Sequence, residues 1–64
     1  MAIPKQENVW GTIQTKSGCK YIITFDVIKN RYYLYCKTKS HYNKMLSSKE
    51  PIELLKKIQK YENN

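Results

Sequence analysis

The residues best suited to chemistry lie in one nine-residue run, RYYLYCKTK (31–39), which combines three tyrosines with one arginine and two lysines. Because side chains alternate between the faces of a strand, Tyr32, Leu34 and Cys36 would share one face. The other face would carry Arg31, Tyr33, Tyr35, Lys37 and Lys39. Rings and cations together are typical of surfaces that bind single-stranded nucleic acid or an acidic protein.

The whole chain is basic, with a formal net charge of +7 on 64 residues. A positive field attracts polyanions over long range, and nucleic acid is the commonest polyanion in a cell. Lys, Asn, Ile and Tyr are also used heavily, as in proteins encoded by AT-rich DNA. Such composition is common in low-GC bacteria and in their phages and mobile elements, so part of the lysine excess reflects codon usage.

Catalytic residues are scarce. The chain has one histidine, His41, and five acidic residues whose spacing would not bring two carboxylates together. Cys36 and His41 lack the further Cys or His residues that a zinc site needs, and there is no glycine-rich phosphate loop. We expect a protein that is not an enzyme and that holds no metal or cofactor.

The sequence also bears on the compartment. No apolar run approaches the roughly 20 residues that span a bilayer. No signal peptide or oxidising context is visible, which predicts a cytoplasmic protein with reduced cysteines.

The pattern along the chain predicts one arm and three strands. Residues 1–8 are polar and lack periodicity, and we interpret them as a flexible N-terminal arm. Strand patterns rich in β-branched and aromatic residues follow at 9–15, 19–28 and 31–38. Their short connections predict an antiparallel meander.

The first connection leaves two registers open. A three-residue loop ending at Gly18 places Trp10 on the outer face, whereas a two-residue loop moves Trp10 to the core face. We favour the longer loop, because it uses Gly18 where a left-handed backbone is needed. The pairs that it predicts are Ile13 with Tyr21 and Val9 with Phe25.

The second connection is predicted as a two-residue turn at Lys29 and Asn30. The resulting pairs are Phe25 with Leu34 and Ile23 with Cys36. In this register Cys19 lies beyond the end of the core and does not meet Cys36, so a disulfide between them is not expected.

The C-terminal half predicts a loop and then a helix. Residues 38–48 are polar and without periodicity, and from Pro51 a helical pattern predicts a helix over about 49–61. The helix could start with a capping box from Ser47 to Glu50, or at Pro51 with Glu50 before it. Its apolar stripe consists of Ile52, Leu54, Leu55, Ile58 and Tyr61.

The helix must bury this stripe, and the apolar surface available is the sheet face carrying Ile23, Phe25 and Leu34. We therefore predict one α+β domain over 9–64, a three-stranded antiparallel meander with one C-terminal helix packed on one face (βββα). In architecture alone, residues 9–61 of this layout resemble the small DNA-binding domains at the N-terminus of some phage-type integrases. The resemblance implies a sheet that faces the major groove.

The uncovered sheet face is the predicted site. Its residues are Trp10, Lys20, Arg31, Tyr33, Tyr35, Lys37 and Lys39. Exposed rings stack on bases while lysines neutralise phosphates, although tyrosine is also a strong strand former whose cross-strand pairs stabilise any small sheet. We expect a small basic protein that binds DNA or RNA through this face. The alternative is a small accessory or inhibitory protein of a phage or mobile element, which docks this face on a larger protein such as a replication or defence enzyme.

Overall fold

The computed structural model describes residues 3–16, 18–39 and 41–63. This part of the chain forms four strands and one helix. The elements are β1 (Glu7–Gln14), β2 (Lys20–Asp26), β3 (Arg31–Thr38), β4 (His41–Ser48) and α1 (Pro51–Glu62). The strands lie side by side in chain order and each neighbouring pair is antiparallel. The predicted α+β class is confirmed, and the prediction of three strands is wrong.

The fourth strand, β4, occupies most of the region predicted as a loop. Leu34 pairs with Leu46 and Tyr35 pairs with Lys44, so Met45 is an extra residue in a bulge. A bulge breaks the alternation of faces along a strand, which hides the period of two from the sequence pattern. The added strand also departs from the three-stranded layout of the integrase domains that the predicted architecture resembled.

The first strand starts earlier than predicted. β1 begins at Glu7, so Glu7 and Asn8 belong to the sheet and not to an N-terminal arm. The Glu7 N–H donates to the Pro4 carbonyl oxygen at 3.0 Å, and the Val27 N–H donates to the Gln6 carbonyl oxygen at 3.2 Å. These bonds hold residues 4–6 against the sheet.

The register of β1 is partly as predicted. Ile13 pairs with Tyr21, which confirms the predicted alignment there. Gly18 has a φ of +90°, the left-handed conformation expected of it. Val9 pairs with Thr24 and not with Phe25, because the register shifts between Val9 and Gly11. The residue inserted at this bulge is Trp10.

The register between β2 and β3 differs from the prediction by two residues. Ile23 pairs with Leu34, and Phe25 pairs with Tyr32. A shift of two residues leaves every side chain on its predicted face, because side chains alternate with a period of two. The predicted faces of these two strands are therefore correct although the predicted pairs are wrong.

The shift arises from a four-residue turn at 27–30. The Asp26 Oδ1 atom accepts hydrogen bonds from the N–H groups of Ile28 at 2.9 Å and Lys29 at 3.0 Å. An Asp side chain that binds nearby N–H groups stabilises a turn immediately after itself. Val27 and Ile28, which were predicted to extend β2, are consequently exposed in this turn.

The helix follows the second of its two predicted starts. Glu50 is the N-cap and makes no side-chain cap bond, and Pro51 is the first helical residue. The buried residues of its stripe are Leu54 and Ile58, whereas Ile52 and Tyr61 are exposed. α1 packs against β2, β3 and β4, and leaves β1 uncovered. In the part of the chain that the structure describes, no helix is long and apolar enough to cross a membrane.

The two faces of the sheet carry separate buried clusters. The helix face is the one covered by α1, and its core consists of Tyr21, Ile23, Leu34, Leu54 and Ile58. The second face is the opposite one, and its buried cluster consists of Ile22, Tyr33 and Tyr35, with Ile3 and Tyr42 packed against it.

Candidate functional site

The second face is covered where it was predicted to be open. The exposed fraction is 8% for Tyr33 and 0% for Tyr35. Ile3 from the N-terminal segment and Tyr42 from β4 pack against these rings. The prediction that Tyr33 and Tyr35 form an exposed stacking platform is therefore wrong. Ile3 belongs to the predicted arm and Tyr42 to the predicted loop, and both segments cover the two rings.

A polar network centred on Glu7 lies beneath this cover, and we call it the glutamate network: Glu7, Thr24, Tyr35 and Lys44. The Glu7 Oε1 atom accepts a hydrogen bond from Thr24 Oγ1 at 2.6 Å and from the Tyr35 hydroxyl at 2.7 Å. All three of these side chains are buried. A buried carboxylate is stable only when it is hydrogen-bonded and paired, and this network meets both conditions.

Lys44 supplies the charge that faces Glu7. Its Nζ atom lies 3.7 Å from Glu7 Oε2. The same ammonium lies 4.1 Å from the centroid of the Tyr33 ring and 5.7 Å from that of Tyr35. It therefore makes cation–π contacts with Tyr33 and Tyr35 besides its ion pair.

The network also affects the protonation of Tyr35. Burial of the hydroxyl raises the pKa of Tyr35 well above its usual range, and the hydrogen bond to Glu7 raises it further. Tyr35 therefore stays neutral and remains a hydrogen-bond donor to Glu7.

The second face ends in a transverse row of polar side chains, which we call the end row. Successive strand pairs join its four members, one from each strand: Gln14, Lys20, Lys37 and Tyr42. Lys20 and Lys37 stand directly opposite each other, and the Lys37 Nζ atom lies 5.4 Å from the centroid of the Tyr42 ring. Among the described residues, neither lysine forms an ion pair with a carboxylate.

The remaining predicted site residues are spread over the molecule. Arg31 lies on the second face, where its Nη2 atom donates to Ser47 Oγ at 3.2 Å. Lys39 is exposed in the β3–β4 turn with a φ of 52°. Of the predicted set, the structure brings Lys20 and Lys37 together in the end row.

Trp10 is the predicted site residue whose face was wrong. The β1 bulge directs it to the helix-face side, where its ring centroid lies 5.9 Å from that of Tyr32 at an interplanar angle of 81°. The centroid of the Phe25 ring lies 4.8 Å from the centroid of the same Tyr32 ring. We call Trp10, Phe25 and Tyr32 the aromatic cluster. It spans β1, β2 and β3, and of these strands α1 leaves β1 uncovered.

The cysteines are closer together than predicted. Both are partly buried free thiols beside the helix-face core. Burial raises the pKa of the Cys36 thiol, and the neighbouring Cys19 thiol raises it further. The expectation that Cys19 does not meet Cys36 is therefore wrong, because the two-residue shift in register places Cys36 opposite Tyr21 and diagonal to Cys19.

Tyr42, Lys44 and Glu7 take part in these sites but were absent from the predicted set. Tyr42 and Lys44 lie on the second face two residues apart, but the bulge at Met45 directs Leu46 to the helix-face core, so the sequence of β4 shows no regular period of two. Glu7 lies in the polar stretch that was interpreted as an arm. Its burial depends on Thr24 and Tyr35, which are distant in sequence, so no local pattern predicts it.

Within the described residues, no group of three or more His, Cys, Asp or Glu side chains could hold a metal ion. No protein-family model matches the chain, and neither a curated protein nor a solved structure matches it.

Proposed function

We propose that this protein is a small, non-enzymatic nucleic-acid-binding protein that contacts phosphates through the end row. The observation that supports the proposal is the direct opposition of Lys20 and Lys37 on neighbouring strands. Like charges placed opposite each other destabilise a sheet, so this arrangement favours a bound anion between or above the two ammonium groups.

The carboxylates of the second face do not neutralise this pair. Glu7 is committed to Thr24, Tyr35 and Lys44. Asp26 is buried and accepts hydrogen bonds from the turn at 27–30. Both acids lie at the end of the face opposite the end row, because Glu7 pairs with Asp26 in the row farthest from Lys20. A phosphate is therefore the counterion that this end of the sheet would favour.

The mode of binding differs from the one expected of an open tyrosine face. Tyr33 and Tyr35 are buried and offer no ring to a base. Lys20 is exposed, Lys37 is half-buried, and Lys39 extends the positive charge into the adjacent turn. Binding through these groups would be mainly electrostatic, with little dependence on base sequence.

A titration tests the proposal. Labelled single-stranded DNA, duplex DNA and RNA would be titrated with the protein at several salt concentrations, with binding followed by fluorescence anisotropy. The double variant Lys20→Gln/Lys37→Gln should bind more weakly. Its slope of log K against log salt should fall by about 1.4 to 1.8, because each lost phosphate contact removes about 0.7 for single strands and 0.9 for duplex.

The control is Lys56→Gln/Lys60→Gln, which removes the same charge from the exposed face of α1. Circular dichroism would show that both variants are folded. Absence of binding by the parent at low salt would refute the proposal. An equal loss of affinity in both double variants would also refute it, because the effect would then come from net charge and not from the end row.

A second candidate function is favoured by a different observation. The aromatic cluster and the turn beside it leave large apolar side chains exposed, notably Trp10 and Ile28. Exposed apolar groups of this kind are typical of protein interfaces. The second candidate is therefore an accessory or inhibitory protein of a phage or mobile element that docks on a larger protein such as a replication or defence enzyme.

A further inference from the structure

An apolar surface lies at the end of the sheet that is farthest from the end row. We call it the apolar end, and it consists of Trp10, Phe25, Val27, Ile28 and Tyr32. The exposed fraction is 48% for Trp10, 54% for Val27 and 75% for Ile28. Ring contacts connect Trp10 and Phe25 through Tyr32. Val27 and Ile28 lie in the turn after β2, two and three residues beyond Phe25. Leaving such side chains in water is unfavourable unless a partner covers them.

The net charge around the apolar end is positive. Lys5 and Lys29 are exposed there, Lys29 in the turn itself and Lys5 beside Gln6, whose carbonyl oxygen accepts the Val27 N–H. Two of the acids at this end, Glu7 and Asp26, are buried and hydrogen-bonded within the protein. A third, Glu50, is exposed beyond Ser48, the partner of Tyr32, and the exposed Lys49 next to it balances its charge. A partner at this end therefore meets apolar groups flanked by uncompensated ammonium groups.

These features distinguish between the possible occupants. A second copy of the chain would bring another net charge of +7 to the contact, which opposes self-association. Nucleic acid stacks on aromatic rings, but Val27 and Ile28 are branched aliphatic residues that offer no ring face to a base. An acidic protein segment with large apolar side chains satisfies both the apolar groups and the lysines.

We infer that the apolar end is a docking surface for an acidic segment of a partner protein, anchored by Trp10 and Ile28. The inference rests on the second candidate function and does not require nucleic-acid binding. The apolar end and the end row lie at opposite ends of the sheet, so a partner protein and a nucleic acid can be bound at the same time. The chain would then act as an adaptor that adds a basic surface to its partner.

The chain contains one tryptophan, and it lies in the proposed surface, so its fluorescence reports on occupancy. Peptides would be selected from a random peptide library displayed on phage against the immobilised full chain. The selected sequences would be synthesised and titrated into the protein while Trp10 emission is recorded. We expect selected peptides to combine Asp or Glu with large apolar residues, and to shift Trp10 emission to shorter wavelength as the indole leaves water.

Two variants locate the site. Ile28→Asn should weaken binding of the selected peptides at least tenfold, whereas Met45→Asn, which changes an exposed apolar residue in β4, should leave it unchanged. Lys29→Gln should weaken binding by a smaller factor, and more so at low salt. All three positions are exposed, so the variants should fold as the parent does.

Several outcomes would overturn the inference. The selection could yield no peptides that combine acidic and apolar residues, or Ile28→Asn could leave peptide binding unchanged. An oligonucleotide, and not the peptides, could shift the Trp10 emission. Light scattering could also show a dimer that Ile28→Asn dissociates. The Lys20→Gln/Lys37→Gln variant separates this inference from the nucleic-acid proposal. It should bind peptide like the parent even where it no longer binds oligonucleotide.

Discussion

The two faces of the sheet are closed by different means. The helix face is closed by apolar side chains of α1, with Leu54 and Ile58 packed on Tyr21, Ile23 and Leu34. The second face is closed by the segment at Ile3, by β4 and by the hydrogen bonds of the glutamate network. One face therefore depends mainly on apolar burial, and the other depends on a buried carboxylate whose partners must all be in place.

This difference determines how each face should respond to substitution. Removal of an apolar group from the helix face leaves a cavity, whose cost increases with the volume lost. Removal of one member of the glutamate network leaves buried polar groups without partners, and each then retains its desolvation penalty. A domain of this size has only a few kcal/mol of stability, so either change is measurable.

The largest effect is expected for Leu34→Ala on the helix face. Leu34 is fully buried between the sheet and α1, so its truncation should lower the free energy of unfolding by about 2 to 5 kcal/mol. Urea denaturation followed by circular dichroism would measure the loss. Ile28→Ala, at an exposed position, is the control and should change stability by less than about 0.5 kcal/mol. A loss below about 1 kcal/mol for Leu34→Ala would show that α1 is not held by this core.

The next effect is expected for Glu7→Ala in the glutamate network. The Tyr35 and Thr24 hydroxyls would both lose their acceptor, which costs roughly 1 to 3 kcal/mol for each buried group left unpaired. Glu7→Gln is the matched variant, because it keeps an oxygen acceptor and loses only the charge. It should be less destabilising than Glu7→Ala in the same denaturation experiment. Equal effects of the two substitutions would mean that the charge, and not the hydrogen bonds, stabilises the second face.

The same contrast explains what could be predicted from the sequence. Tyr21, Ile23 and Leu34 alternate with polar residues or follow strand propensity, so the helix face and its helix could be predicted from periodicity. Glu7 and Lys44 are polar residues without a local signal, and their positions depend on contacts with Thr24, Tyr33 and Tyr35. The alternation of faces along β2 and β3 was enough to place Lys20 and Lys37 on the second face, where they pair. The burial of Tyr33 and Tyr35 was not predicted, because it depends on Ile3 and Tyr42, which are distant in sequence from one another.

Each face buries a tyrosine whose hydroxyl donates to a glutamate, Tyr21 on the helix face and Tyr35 on the second face. On the helix face, burial and a 3.1 Å hydrogen bond to Glu62 raise the pKa of Tyr21 from 10.0 to about 12. Because the folded protein holds this proton more tightly than the unfolded chain, the stabilisation is fully present below about pH 10 and is lost as the pH rises toward 12.

Urea denaturation of the parent and of Tyr21→Phe at pH 9 and pH 11 would test this pH dependence. The parent should lose more stability than Tyr21→Phe between the two values, because phenylalanine has no proton to release. Tyr61→Phe, which removes an exposed hydroxyl from α1, is the control and should behave like the parent. If Tyr21→Phe and the parent lose the same stability, the Tyr21 proton does not contribute to the alkaline sensitivity of the helix face.

The smallest effect is expected for Lys44→Met, which tests whether the ion pair matters to the second face. Lys44 is partly exposed, and its ion pair and cation–π contact are each worth about 1 kcal/mol or less. Methionine keeps the unbranched apolar stem over Tyr33, so Lys44→Met should cost about 0.5 to 1 kcal/mol at low salt. The difference from the parent should shrink at 1 M salt, where the Debye length is about 3 Å. A loss as large as that of Glu7→Ala would mean that the Glu7 carboxylate depends on Lys44 and not on its two hydroxyl donors, and the contrast between the faces would then be one of charge.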